Sequence, residues 1–131
     1  MKRTEIRTCV FKLLYQSEFY NSEELKEQFD IFFQDLDNCR AKERKEIEDK
    51  VKAILENVSD IDSEINKNAK NWNVDRMNKV DKAILRLAYY EIKFDDQVPD
   101  KVAVNEAIEL AKEYSSKESF AFVNGVLSKL L

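Results

Sequence analysis

Arg3, Arg7, Phe11 and Tyr15 follow one another at four-residue steps near the start of the chain. On a helix that spacing lays side chains along one slowly drifting ribbon. Guanidinium groups there would neutralise phosphates, and an aromatic face would stack an unpaired base, which is the chemistry of single-stranded nucleic acid. The same spacing fits a second reading, in which Phe11 and Tyr15 widen the apolar face and only the arginines meet water. Farther on, Lys79, Lys82 and Arg86 fall on the wetter side of an apolar helix and would extend a basic surface. Glu91 is the one polar residue on that helix's inward stripe. A buried carboxylate calls for a donor, such as Tyr15, Asn105 or Asn124.

Composition argues against catalysis. The chain has no histidine, which removes the commonest general base and metal ligand together. A single glycine excludes a glycine-rich phosphate loop. Carboxylates are scattered on solvated faces, with no inward set of the kind that holds two metals in a helical bundle. Cys9 and Cys39 stand far apart, and Cys9 shares an apolar face, so it reads as a buried reduced thiol. No cofactor is implied. Lys and Arg total 22 against 26 Asp and Glu, a net charge of −4, whereas a generic nucleic-acid binder is basic. RNA binding would therefore need a local patch or a basic partner. No apolar run could span a bilayer and no hydrophobic signal segment stands at the N-terminus, so the reading is cytoplasmic with no membrane contact.

The elements that must carry these residues are helices. One Gly and one Pro in 131 residues point to an all-α fold. The first helix starts near Arg3 and turns Ile6, Cys9, Val10, Leu13, Leu14 and Ser17 inward. Asn21 and Glu24 cap a second, which buries Leu25, Phe29, Phe32 and Leu36, with Phe33 broadening the stripe. A third buries Ile47, Val51, Ile54, Leu55 and Val58, and its charge run AKERKEIEDK is a solvated face. Ser59 or Asp60 caps a fourth, with Ile61, Ile65, Ala69 and Trp72 inward. Asn78 and Asp81 start a fifth, whose stripe is Val80, Ala83, Ile84, Leu87, Ala88, Glu91 and Phe94.

Pro99 closes the loop from Asp95 and pre-sets φ for a sixth helix, where Ala103, Ala107, Leu110, Ala111 and Tyr114 share a face. Ser115 and Glu118 form a capping box for the last, which buries Phe120, Val123, Leu127 and Leu130. Gly125 in its interior costs about 1 kcal/mol against alanine. Close approach of another backbone, or else a ligand, would explain it. The sum is about seven helices in two packed bundles, roughly residues 1–58 and 59–131, within one domain spanning 1–131.

Two segments, VDKAILRLAYYEI at Val80–Ile92 and VAVNEAIELAKEYSSKESFAFVNGVLSKL from Val102, resemble the C-terminal half of the NusB family of bacterial transcription antitermination factors. LLYQ at Leu13–Gln16 extends the resemblance to the other half. It implies an all-helical, non-enzymatic adaptor of two perpendicular bundles. Such proteins pair with NusE, a small-subunit ribosomal protein. The pair binds single-stranded boxA in nascent RNA and serves the RNA polymerase antitermination complex on ribosomal RNA operons.

By resemblance, the RNA contacts are Arg3, Arg7 and Tyr15, then Asp81, Lys82 and Arg86, then Lys117, Ser119 and Phe122, with Lys101 a weaker candidate. This moves Tyr15 from the core to the binding side. It also places NusE on the fourth to sixth helices and leaves open a homodimer of the free chain. Two departures stand out. Only Lys2, Arg3 and Arg7 remain of a denser arginine cluster, and Ser115 stands where the family commonly has glycine. The rival readings are a protein scaffold without RNA binding and the RNA-recruiting arm of a methyltransferase.

Overall fold

With so few backbone breakers, each segment between turn signals closes into a helix. The computed structural model describes residues 1–69 and 73–130. Its helices are α1 (Arg3–Ser17), α2 (Ser22–Gln34), α3 (Ala41–Glu56), α4 (Val58–Asn68), α5 (Lys79–Phe94), α6 (Asp100–Tyr114) and α7 (Lys117–Ser128), with a 3₁₀ turn at Val74–Arg76. No strand occurs among the described residues, and no helix there is long and apolar enough to cross a membrane. Trp72, expected inward, lies outside the described residues. The chain divides into two compact units, Met1–Ala53 and Ile54–Leu131, so the boundary falls inside α3.

In the first unit α1 turns Ile6, Cys9, Val10, Leu13 and Leu14 inward as its spacing predicts, and Phe11 joins them. The reciprocal cap expected for α2 is present. The Glu24 N–H donates to Asn21 Oδ1 at 2.9 Å, and the Asn21 N–H donates to Glu24 Oε1 at 3.1 Å. Phe29 and Phe33 of α2 and Ile47 and Val51 of α3 are buried, while Leu25, Phe32 and Leu36 are only half-buried. Arg44 stacks over the Phe33 ring at 4.7 Å and is held by Asp30 and Glu48. Between α2 and α3, Asn38 takes a left-handed φ of 59°, which asparagine tolerates better than most residues.

The second unit is built on α5, which packs against α4, α6 and α7. Its expected single stripe is too narrow: Leu85 and Tyr89 are also fully buried, whereas Phe94 is exposed. A helix with neighbours on three sides is apolar nearly all round, and each fully buried Leu or Ile contributes about 1.5–3 kcal/mol. Alanines 103, 107 and 111 are buried on α6. Two caps differ from expectation. α4 begins at Val58 after Asn57, ahead of Ser59 and Asp60. The cap of α7 is Ser116, whose Oγ accepts the Ser119 N–H at 3.1 Å.

Gly125 is exposed, and among the described residues no atom outside its own stretch of helix backbone lies within 4 Å of the position a Cβ would take. Close packing therefore does not require it. Gly125→Ala should raise stability by about 1 kcal/mol in urea unfolding, because the backbone there is ordinary helix. A lower unfolding midpoint would contradict this.

Candidate nucleic-acid interface

On α1 a four-residue step turns the side-chain direction by about 40°, so the path from Arg3 to Tyr15 sweeps about 120° around the axis. That path crosses the edge of the core. Phe11 is 2% exposed, so the continuous ribbon is interrupted and the widened-core reading holds at this position. Tyr15, at 36%, is on the water side. Arg3 is exposed and donates to both Glu46 oxygens, one at 3.1 Å, which raises its already high pKa. Arg7 is half-buried. The exposed arc leading to Tyr15 is Thr4 and Lys12, with Thr8 half-buried between them.

In the second unit the site is the junction of two helix starts. Asn78 caps α5 by accepting the Asp81 N–H at 2.8 Å. Its amide nitrogen donates back to the Asp81 carboxylate at 2.9 Å and across to Ser119 Oγ on α7 at 3.2 Å. The other Asp81 oxygen accepts from the Ser115 hydroxyl at 2.7 Å. The start of α5 and the start of α7 are thereby locked side by side, and each carries the partial positive charge of a helix N-terminus. Lys117 is exposed at the first position of α7, while Ser119 and Phe122 are half-buried.

The supposed wetter side of α5 needs correction. Lys82 is only 9% exposed. Arg86 is half-buried and grips Asp62 of α4 through both oxygens, Nε to Oδ1 at 2.9 Å and Nη2 to Oδ2 at 2.8 Å. The physical reason is the neighbour on that face, since a bidentate arginine–carboxylate pair fastens the two helices. Asp81 is likewise buried, at 4%, with both oxygens engaged inside the fold. It shapes the surface above it by positioning Asn78 and Ser115. Lys101 is exposed on α6.

Sequence reasoning found the Asn78 cap but set the α7 cap one residue early, at Ser115, and it missed the cross-links between the two helix starts as well as Asp62 and Phe19. The signal for Phe19 was available, because the four-residue step from Arg3 continues through Tyr15 to residue 19. Burial pushes the Cys9 thiol up, which leaves a poor nucleophile. Among the described residues no group of three or more Cys, Asp or Glu is arranged to hold a metal.

The described residues form an all-α module in which polar side chains fasten two helix starts of the second unit. The NusB family profile matches residues 4–131. The chain is 49% identical over 129 residues to the transcription antitermination protein NusB of Agathobacter rectalis, covering 98% of each. It is 42% identical over 131 residues to that of Lachnoclostridium phytofermentans, covering 100% of this chain and 99% of the relative. Among solved structures, T. maritima NusB superposes with a TM-score of 0.83 at 37% identity, covering 99% of this chain and 90% of that one. A chain of the crystal structure of a plectonemic RNA supercoil gives 0.82 at 26%, covering 98% and 92%. This chain belongs to the NusB family, a family of transcription antitermination proteins.

Asp81→Ala should cost about 1–3 kcal/mol, because it removes the acceptor of the Ser115 hydroxyl and one of the two acceptors of the Asn78 amide. Urea unfolding monitored by circular dichroism measures this. A loss below about 0.5 kcal/mol, the range of an ordinary surface change, would contradict the locking role.

Proposed function

We propose that this chain is a non-enzymatic RNA-binding adaptor of transcription antitermination, working in the cytoplasm with NusE on single-stranded boxA RNA of ribosomal RNA operons. The pair serves the RNA polymerase antitermination complex. The observation that carries this reading is the family match over residues 4–131, which takes in α1 from its second residue and the starts of both α5 and α7.

The residues have separate tasks. Arg3, Arg7 and Tyr15 on α1 offer charge and a ring to a single strand. At the start of α7, Lys117 meets phosphate, and Ser119 and Phe122 border the paired helix starts, whose N–H ends favour an anion. Asp81, Lys82 and Arg86 act from beneath as positioning residues. A net charge of −4 suits a basic protein partner. Phe94 on α5 and Val102 on α6 are exposed apolar residues that could seat it.

A second reading, a scaffold without RNA binding of its own, draws on the cations already engaged: Arg3 by Glu46, Arg86 by Asp62, and Lys82 buried. Retention of NusE with no RNA at low salt would favour it.

The direct test titrates boxA RNA, in the presence of NusE, into the unaltered chain and into Lys117→Glu and Arg3→Glu. Each variant should bind more weakly, with the slope of log affinity against log salt reduced by about one to two phosphate contacts. An acid at the first position of α7 suits the helix dipole, so the loss would not come from unfolding. Unchanged affinity and slope in both variants would sink this surface.

A further inference from the structure

The turn that follows α1 carries a second ring beyond the positions that the family resemblance assigns. Phe19 is 52% exposed, the highest among the exposed large apolar side chains of the described residues. Its ring meets Tyr15 edge-on, with centroids 5.2 Å apart and planes inclined by 66°. Tyr20 follows directly and is also exposed. Glu18, the acid in this stretch, is half-buried, and Lys12 is exposed one turn before Tyr15.

Two rings at a steep angle, both partly exposed to water, make a corner. A flat π-system fits that shape, because a base stacked on one ring meets the positive edge of the other. The surroundings fit a nucleotide better than an apolar helix. Two of the three rings carry hydroxyls, and Lys12 stands three positions before Tyr15 on α1, a spacing that makes the two helical neighbours and suits a phosphate next to a stacked base. The corner also continues the arc on which Tyr15 stands.

We infer that Phe19 and Tyr15 together form a stacking corner for one unpaired nucleobase, with Lys12 meeting the adjoining phosphate. The inference rests on the RNA-binding reading above. It adds a binding residue, and it gives that end of the site a preference for an unstacked, flexible nucleotide.

The test uses the full chain with its protein partner and a labelled boxA RNA. Phe19→Ala should weaken binding by about five- to hundred-fold, the weight of one stacked base, with the salt slope unchanged because no phosphate contact is lost. Phe19→Trp should restore affinity, and Phe19→Leu, which keeps apolar bulk without a π-face, should not. Replacing bases by abasic sites one at a time should locate one position whose loss is non-additive with Phe19→Ala.

If the unaltered chain binds and Phe19→Ala binds within two-fold, the corner is overturned and the adaptor reading stands. If Phe19→Ala or Phe19→Leu releases the protein partner while RNA alone is held as before, the face belongs to a protein and the corner is again overturned. If the unaltered chain with its partner binds no RNA, both readings fall together.

Discussion

The buried carboxylate of Asp81 is the constraint on which the second unit's candidate surface depends. It sits in the first turn of α5, where the helix dipole favours negative charge, and it accepts from both Asn78 and Ser115. Asn78 in turn reaches Ser119. Two helix starts far apart in sequence are thereby held at hydrogen-bond distance. A charge this deeply buried is tolerated because its oxygens are engaged, and the engagement fixes the geometry in return. Nothing in the network needs to be chemically reactive. Its product is a rigid rim of N–H ends and hydroxyls.

The charge distribution follows a related logic. On a chain of net charge −4, binding the proposed RNA would need cations gathered locally, and part of the candidate set is already engaged within the fold. Arg86 is drawn into a bidentate pair with Asp62, where it fastens α4 to α5, and a glutamate placed there would face Asp62 directly. Arg3 is exposed but shared with Glu46. Exposed ion pairs of that kind are worth about 1 kcal/mol or less, so a phosphate can compete for the guanidinium at small cost. Lys12 and Lys117, both exposed, add positive charge near the proposed contacts. A basic protein partner would add its own field to theirs.

Much of the helical fold was legible in the sequence because local signals dominate it. The Asn21 and Asn78 caps, the Pro99 start and the stripes of α1, α3 and α6 rest on interactions spanning a few residues. Errors came where distant partners decide. Ser115 and Ser116 are equally good caps by type, and only Asp81, 34 positions away, draws the first serine aside. Lys82 and Arg86 looked solvated because a stripe was assumed to have one face, whereas α5 has three neighbours. Phe11 and Tyr15 differ by one helical turn on a drifting path, and that turn separates core from surface. Gly125 carries the opposite lesson, since the expected close contact is absent. Family resemblance named the candidate residues, but only the geometry separates those that meet solvent from those that hold the rim in place.

The proposed contact surface is marked by a set of backbone amides. Backbone chemical shifts of the isotope-labelled chain, followed while boxA RNA is added to its complex with NusE, test it most directly. Movement should concentrate in residues 12–20 and 116–122 and at the N-terminal turn of α5, with α2 and the exposed face of α3 still. Shifts gathered on α2 and α3 instead, with the starts of α5 and α7 unmoved, would contradict it.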